Sequence, residues 1–149
     1  MDYLIQEGKL TLPSGFQDRS VNMFIPGVTL PAPFSLTLSR DITLPGESLA
    51  EYVERQVSLI AAKLRKYKRQ DLQEVWLSMQ SPVPGLQVDA HYQSDGRPVY
   101  QRQAGFIVSP QRVLVFSATS QQPFDDSLNQ LWTDVLASFE AHPTPSSKP

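Results

Sequence analysis

The sequence predicts an α+β fold in which an antiparallel β-sheet is flanked by two main α-helices. Segments with strand character outnumber helical ones by seven to two, too few helices for the alternating units of a parallel sheet. The breaks Ser94-Asp95-Gly96-Arg97 and Ser109-Pro110-Gln111 are short enough to be hairpin loops, which makes their flanking strands antiparallel neighbours. At 149 residues and 40% hydrophobic, the chain can build one core of its own. Residues 1–141 are therefore expected to form a single domain, and residues 142–149, rich in proline and serine, a flexible tail.

Taken in order, residues 3–12 and 20–25 read as strands separated by the turn signals Pro13, Ser14 and Gly15. A proline-rich loop over 26–33 leads into a strand over 34–41. Its strict alternation places Phe34, Leu36 and Leu38 on one face and the small polar Ser35, Thr37 and Ser39 on the other. Pro45-Gly46 ends it. Ser48 followed by Glu51 is a capping-box signal for a helix reaching to about Tyr67, with Leu49, Val53, Gln56, Ile60, Leu64 and Tyr67 on one stripe. Gln56 is the polar member of that stripe.

Four more strands are expected over 75–80, 86–93, 99–108 and 112–120. A second helix follows, with Ser127 and Gln130 as its start signal and Leu128, Leu131, Trp132, Val135 and Phe139 on one face.

Charge and composition narrow the function. With 13 basic and 15 acidic residues the formal net charge is −2, so no overall positive field draws in nucleic acid or an anionic membrane. Zero cysteines exclude disulfides, thiolate metal sites and cysteine nucleophiles. The N-terminal residues lack the basic and apolar regions of a signal peptide, and no apolar run is long enough to cross a bilayer. The expected location is the cytoplasm, without direct membrane insertion.

Candidate chemistry is sparse. Neither of the two histidines falls in a hydrolase, Walker or dinucleotide motif. His91 shares a strand face with Gln87, Asp89 and Gln93 and reads as a solvated strand residue. Asp125-Asp126 suits the positive end of the second helix, and the basic run over 63–69 suits the negative end of the first. No catalytic residue, metal site or cofactor is expected.

The feature that calls for explanation is mixed polarity on two strands. Around residue 99 one face carries Val99, Gln101, Gln103 and Gly105 and the other Tyr100, Arg102, Ala104 and Phe106, while Val21, Met23 and Ile25 alternate with Asn22 and Phe24. Either a helix covers each side of the sheet, or an apolar groove dotted with amides awaits a partner.

The stretches Ser20-Val21-Asn22-Met23-Phe24, Ser39-Arg40-Asp41, Tyr52-Val53-Glu54-Arg55-Gln56 and Gly96-Arg97-Pro98-Val99-Tyr100-Gln101-Arg102-Gln103 resemble signatures of the Eag family of type VI secretion chaperones, within the DcrB-like group. The resemblance implies a PsbP-like architecture and a cytoplasmic homodimer. Such a dimer binds and shields the N-terminal transmembrane segments of a PAAR- or Rhs-type toxin effector before it is loaded on the secretion spike. It also implies an effector-binding groove formed by Val21, Met23, Thr37, Gln56, Ile60, Leu64, Val99 and Gln103. Thr37 departs from the aliphatic residue expected at its position, and Ile60 is larger than the small residue that can occupy its place. A small-molecule or lipid-binding module using the same apolar face is the alternative, and a hydrolase a more distant one.

Overall fold

A computed structural model describes residues 1–28, 33–78 and 80–142. Strands β1 (Asp2–Ile5) and β2 (Gly8–Thr11) form a separate two-stranded sheet. The elements that follow are β3 (Val21–Phe24), β4 (Phe34–Ile42), α1 (Leu49–Ala61), β5 (Arg65–Arg69), β6 (Gln73–Leu77), β7 (Val83–Ser94), β8 (Arg97–Ser109), β9 (Arg112–Ser120) and α2 (Asp126–Ser138). The large sheet runs β3-β4-β9-β8-β7, and β5 and β6 pair in turn along the remaining edge of β7, every pairing antiparallel. The α+β class and antiparallel sheet are those the sequence predicts.

The two hairpin loops form where expected. Ser94 pairs with Arg97 across Asp95-Gly96, both at positive φ (51° and 75°), a geometry that an Asp-Gly pair adopts readily.

One helix lies on each face. Leu77, Ala104, Phe106, Leu114, Phe116 and Ala118 form one cluster with Trp132 and Leu136 of α2, and Phe34, Leu36 and Leu38 of β4 pack against it. On the opposite face Tyr52, Val53 and Val57 of α1 pack with Val88 and Val113. Gly85 keeps the strands close on the α2 side. A Cβ there would overlap the Phe106 ring and lie 2.6 Å from the Gly105 carbonyl oxygen.

The capping box at α1 is complete: Ser48 Oγ accepts from Glu51 N–H at 3.1 Å, and Glu51 accepts from Ser48 N–H at 2.9 Å. Beside it the Arg55 guanidinium grips Glu47 with two hydrogen bonds of 2.8 and 2.9 Å, holding that carboxyl at about 2, well below its ordinary 4.5. A depressed acid stabilises the fold above its ordinary pKa and loses that contribution as pH falls toward its folded value. Glu47→Gln should therefore lower the melting temperature at pH 6, and the gap from wild type should close as pH falls from about 4.5 to about 2. A gap that persists at pH 2 would refute the role given to this pair.

Several expectations are corrected. Residues 3–12 form a hairpin, turning at Gln6-Glu7 with Ile5 opposite Gly8, and the sequence there offers no typical turn pair. The first helix ends at Ala61, and the basic run is largely strand β5 instead of a solvated helix end. Arg65-Lys66-Tyr67-Lys68-Arg69 satisfies a two-residue period as well as a helical one, and pairing with β7 decides the outcome, with Lys66 at φ 54° where the register shifts. Leu64 consequently lies between α1 and β5, outside the helical stripe.

The second helix starts earlier than Ser127, because Asp125 accepts from Leu128 N–H at 2.9 Å and takes the N-cap position. Its buried face turns toward Leu136, leaving Leu131 40% exposed. His91 is exposed as expected, but α2 buries Gln87 and half-buries Asp89 on the same strand face. The expected tail and part of the proline-rich loop, residues 143–149 and 29–32, lie outside the described residues.

Candidate functional site

The two sheet faces are used differently. Beneath α2, a continuous polar network joins helix and sheet: Trp132 Nε1–H donates to Gln87 Oε1 at 2.9 Å, and Gln87 Nε2 donates to Asp89 at 3.2 Å. Arg102 forks onto Asp89 with two 3.0 Å bonds, donates to Asn129 Oδ1 at 2.9 Å and stacks over Phe124 at 4.6 Å. The mixed polarity of β8 on this side, Tyr100, Arg102, Ala104 and Phe106, is thus explained by a covering helix.

On the other face α1 packs on β5, β7 and β8, close over Gly105, where a Cβ would be 3.6 Å from both Leu49 and Val53. The sheet continues past the helix through β9, β4 and the edge strand β3. Antiparallel register lines the side chains there into cross-strand rows. One row runs Met23, Thr37, Ser117 and Gln103; the next runs Val21, Ser39, Val115 and Gly105; a third runs Ser35, Thr119 and Gln101. A cleft of about 400 Å³ lies between α1 and this floor, lined in part by Val21, Ser39, Tyr52, Val53, Gln56, Ile60, Gln103 and Val115.

Seven of the eight residues expected in a groove share this face. Val21, Gln56, Ile60 and Gln103 line the cleft itself. Met23 and Thr37 lie in the same row as Gln103, and Val99 lies farther along β8, opposite Tyr92. Val21 and Met23 are 61% and 66% exposed and sit side by side on the same face of the edge strand. Leu64 is half-buried and is not brought to the cleft, because the helix that was to carry it stops short.

The two glutamines are held within the chain. Gln103 Nε2 donates to Ser117 Oγ at 3.2 Å, and Gln56 Nε2 reaches Asp41 Oδ2 at 3.5 Å. The Tyr52 hydroxyl also donates to Asp41 Oδ2, at 2.7 Å, and its pKa is raised by burial and by this bond. Arg19 lies 3.3 Å from the other Asp41 oxygen.

The hydroxyls Ser39, Ser117 and Thr119 and the Asp41–Tyr52 bond were absent from the expected groove. The Ser35-Thr37-Ser39 alternation signalled the first, and Val113-Val115-Ser117-Thr119 repeats the pattern on β9. The Asp41–Tyr52 contact joins distant segments and leaves no local signature. Chemically the floor offers aliphatic surface, hydroxyls and amides. Among the described residues no group of three or more His, Cys, Asp or Glu is placed to hold a metal ion.

Residues 7–138 match the DcrB family. The chain belongs to that family. It is similar to "Effector EagT6" of Pseudomonas aeruginosa, with 28% identity over 145 residues, covering 97% of this chain and 98% of the relative. Its fold is that of protein PA94 of Pseudomonas aeruginosa, solved as a protein of unknown function, with a TM-score of 0.71 at 22% identity over 97% of this chain and 98% of the other. This DcrB-family membership agrees with the resemblance carried by the 20–24, 39–41, 52–56 and 96–103 motifs.

Proposed function

We propose that this DcrB-family chain is a chaperone and adaptor that holds an apolar helical segment of a secreted effector in the groove between α1 and the β9-β4-β3 floor. The observation that carries this reading is the pair of exposed aliphatic side chains, Val21 and Met23, set in rows with hydroxyls and an amide on the side of the sheet that also bears α1. Covering apolar area contributes about 25 cal/mol per Å², which suits a segment that would aggregate in water. Transmembrane helices pack through small residues and interhelical hydrogen bonds, and Ser39, Thr37 and Gln103 offer the corresponding close approach and polar groups.

The partner in this reading is the N-terminal transmembrane region of a PAAR- or Rhs-type effector, received in the cytoplasm by a homodimer that supports its loading on the secretion spike. The similarity to a protein named Effector EagT6 supports that partner class. A lipid-binding module would enclose its ligand, whereas among the described residues the exposed β3 edge leaves this groove open on one side.

Co-expression tests the reading. The effector's isolated N-terminal apolar region should be insoluble alone and recovered in the soluble fraction with this chain. Equal solubility with and without it would overturn the proposal.

A further inference from the structure

The groove is built differently at its two ends. Side-chain hydrogen bonds from α1 to the floor strands converge, among the described residues, on Asp41: the Tyr52 hydroxyl at 2.7 Å and the Gln56 amide at 3.5 Å. Asp41 is fixed further by accepting from Ile42 N–H at 2.8 Å. These bonds tie the helix to β4 and close one end. Toward Ser35, Thr119 and Val99 no such tie is present among the described residues, and the floor runs on uncovered by hydrogen bonds from α1.

At the closed end the carboxylate of Asp41 shares the cleft lining with the guanidiniums of Arg19 and Arg40. Asp41 is held on three sides, whereas Arg19 comes from the connection between β2 and β3 and its side chain is 59% exposed. Arg40, which also borders the cleft, is engaged by the Ser20 carbonyl at 3.3 Å and Asn22 Oδ1 at 3.0 Å. The positive end of α1 is met by its own capping box. With Arg40 held at the Ser20 carbonyl and Asn22, an incoming helix that displaced the exposed Arg19 would meet Asp41.

Resting on the groove reading above, we infer that Asp41 sets the direction of the bound helix, receiving its N-terminal turn. That turn carries unpaired backbone N–H groups and the positive end of the helix dipole. The opposite orientation would bring unpaired carbonyl oxygens against a carboxylate. Asp41 is thus a polarity-determining residue, and Arg19 holds its place in the empty groove.

The absence of cysteine permits a clean test. Single cysteines are introduced as Val21→Cys, near the closed end, and Ser35→Cys, near the open end. The probe is an acetylated, amidated Leu/Ala peptide of about 20 residues with one cysteine near either terminus. Disulfide formation should favour the N-terminal cysteine at position 21 and the C-terminal cysteine at position 35, by about five-fold over the reverse pairing. In the Asp41→Asn background, which keeps an acceptor for Tyr52, total crosslinking should persist while the preference falls to parity.

A reversed or absent preference in the Asp41 protein, or one unchanged in Asp41→Asn, overturns the inference while leaving the groove intact. No crosslinking above that of a polar control peptide overturns the groove reading and this inference together.

Discussion

Replacing Val21 and Met23 together by aspartate should abolish capture of the apolar segment while leaving the protein folded. Both side chains are mostly exposed on the edge strand, so the substitutions remove little buried area and place the new carboxylates in water. In a complex the same carboxylates would be held against an apolar helix, the one at position 23 outside the cleft lining to which Arg19 and Arg40 belong. Burying an unpaired charge costs several kcal/mol, so binding should weaken by roughly a hundred-fold or more. Thermal melts beside pull-down of the effector segment make the measurement. A stably folded double variant with normal capture would remove β3 from the site.

Trp132→Ala should give the largest loss of stability. Trp132 is 3% exposed and packs with Leu77, Phe106, Phe116 and Leu136 where α2 meets the sheet. Removing such a ring costs about 3–5 kcal/mol through lost burial and the cavity left behind. It also strands the buried Gln87 carbonyl oxygen, whose partner is the indole N–H. Trp132→Phe keeps most of the apolar volume and isolates the hydrogen bond, for which a loss of about 1–3 kcal/mol is expected. Chemical denaturation of both variants provides the check. Because this residue lies on the face opposite the groove, capture under conditions where the variant remains folded should match wild type. Stability unchanged in Trp132→Ala would contradict the packing role of α2.

Much of the architecture was legible because local chemistry and tertiary packing agree. Strict alternation in Phe34-Ser35-Leu36-Thr37-Leu38-Ser39 specified both the strand and its two faces, and Ser48 with Glu51 specified the start of α1. Asp95-Gly96 marked its hairpin. Legibility failed where one stretch satisfied two periods. Residues 63–69 fit a helical stripe through Leu64 and Tyr67 as well as a strand, and only pairing with β7 separates them. Leu64 accordingly lies between α1 and β5 and not on the helical stripe.

The question of whether the second apolar face was covered or free could not be answered from alternation alone. It depends on how far a thirteen-residue α1 extends across a seven-stranded sheet. The helix packs on β5, β7 and β8, reaches Val113 of β9 and Asp41 of β4 at one end, and leaves Val21 and Met23 of β3 exposed. Asp41 likewise gained a role only when folding brought it within 2.7 Å of Tyr52.

Photo-crosslinking from two positions tests the central claim most directly. A photoreactive residue at Met23, in the groove, and another at Leu131, on the exposed side of α2, are each activated in the protein co-expressed with the effector's N-terminal apolar region. Crosslinking from position 23 without crosslinking from position 131 is the expected result. Crosslinking from position 131 with none from position 23 would contradict it.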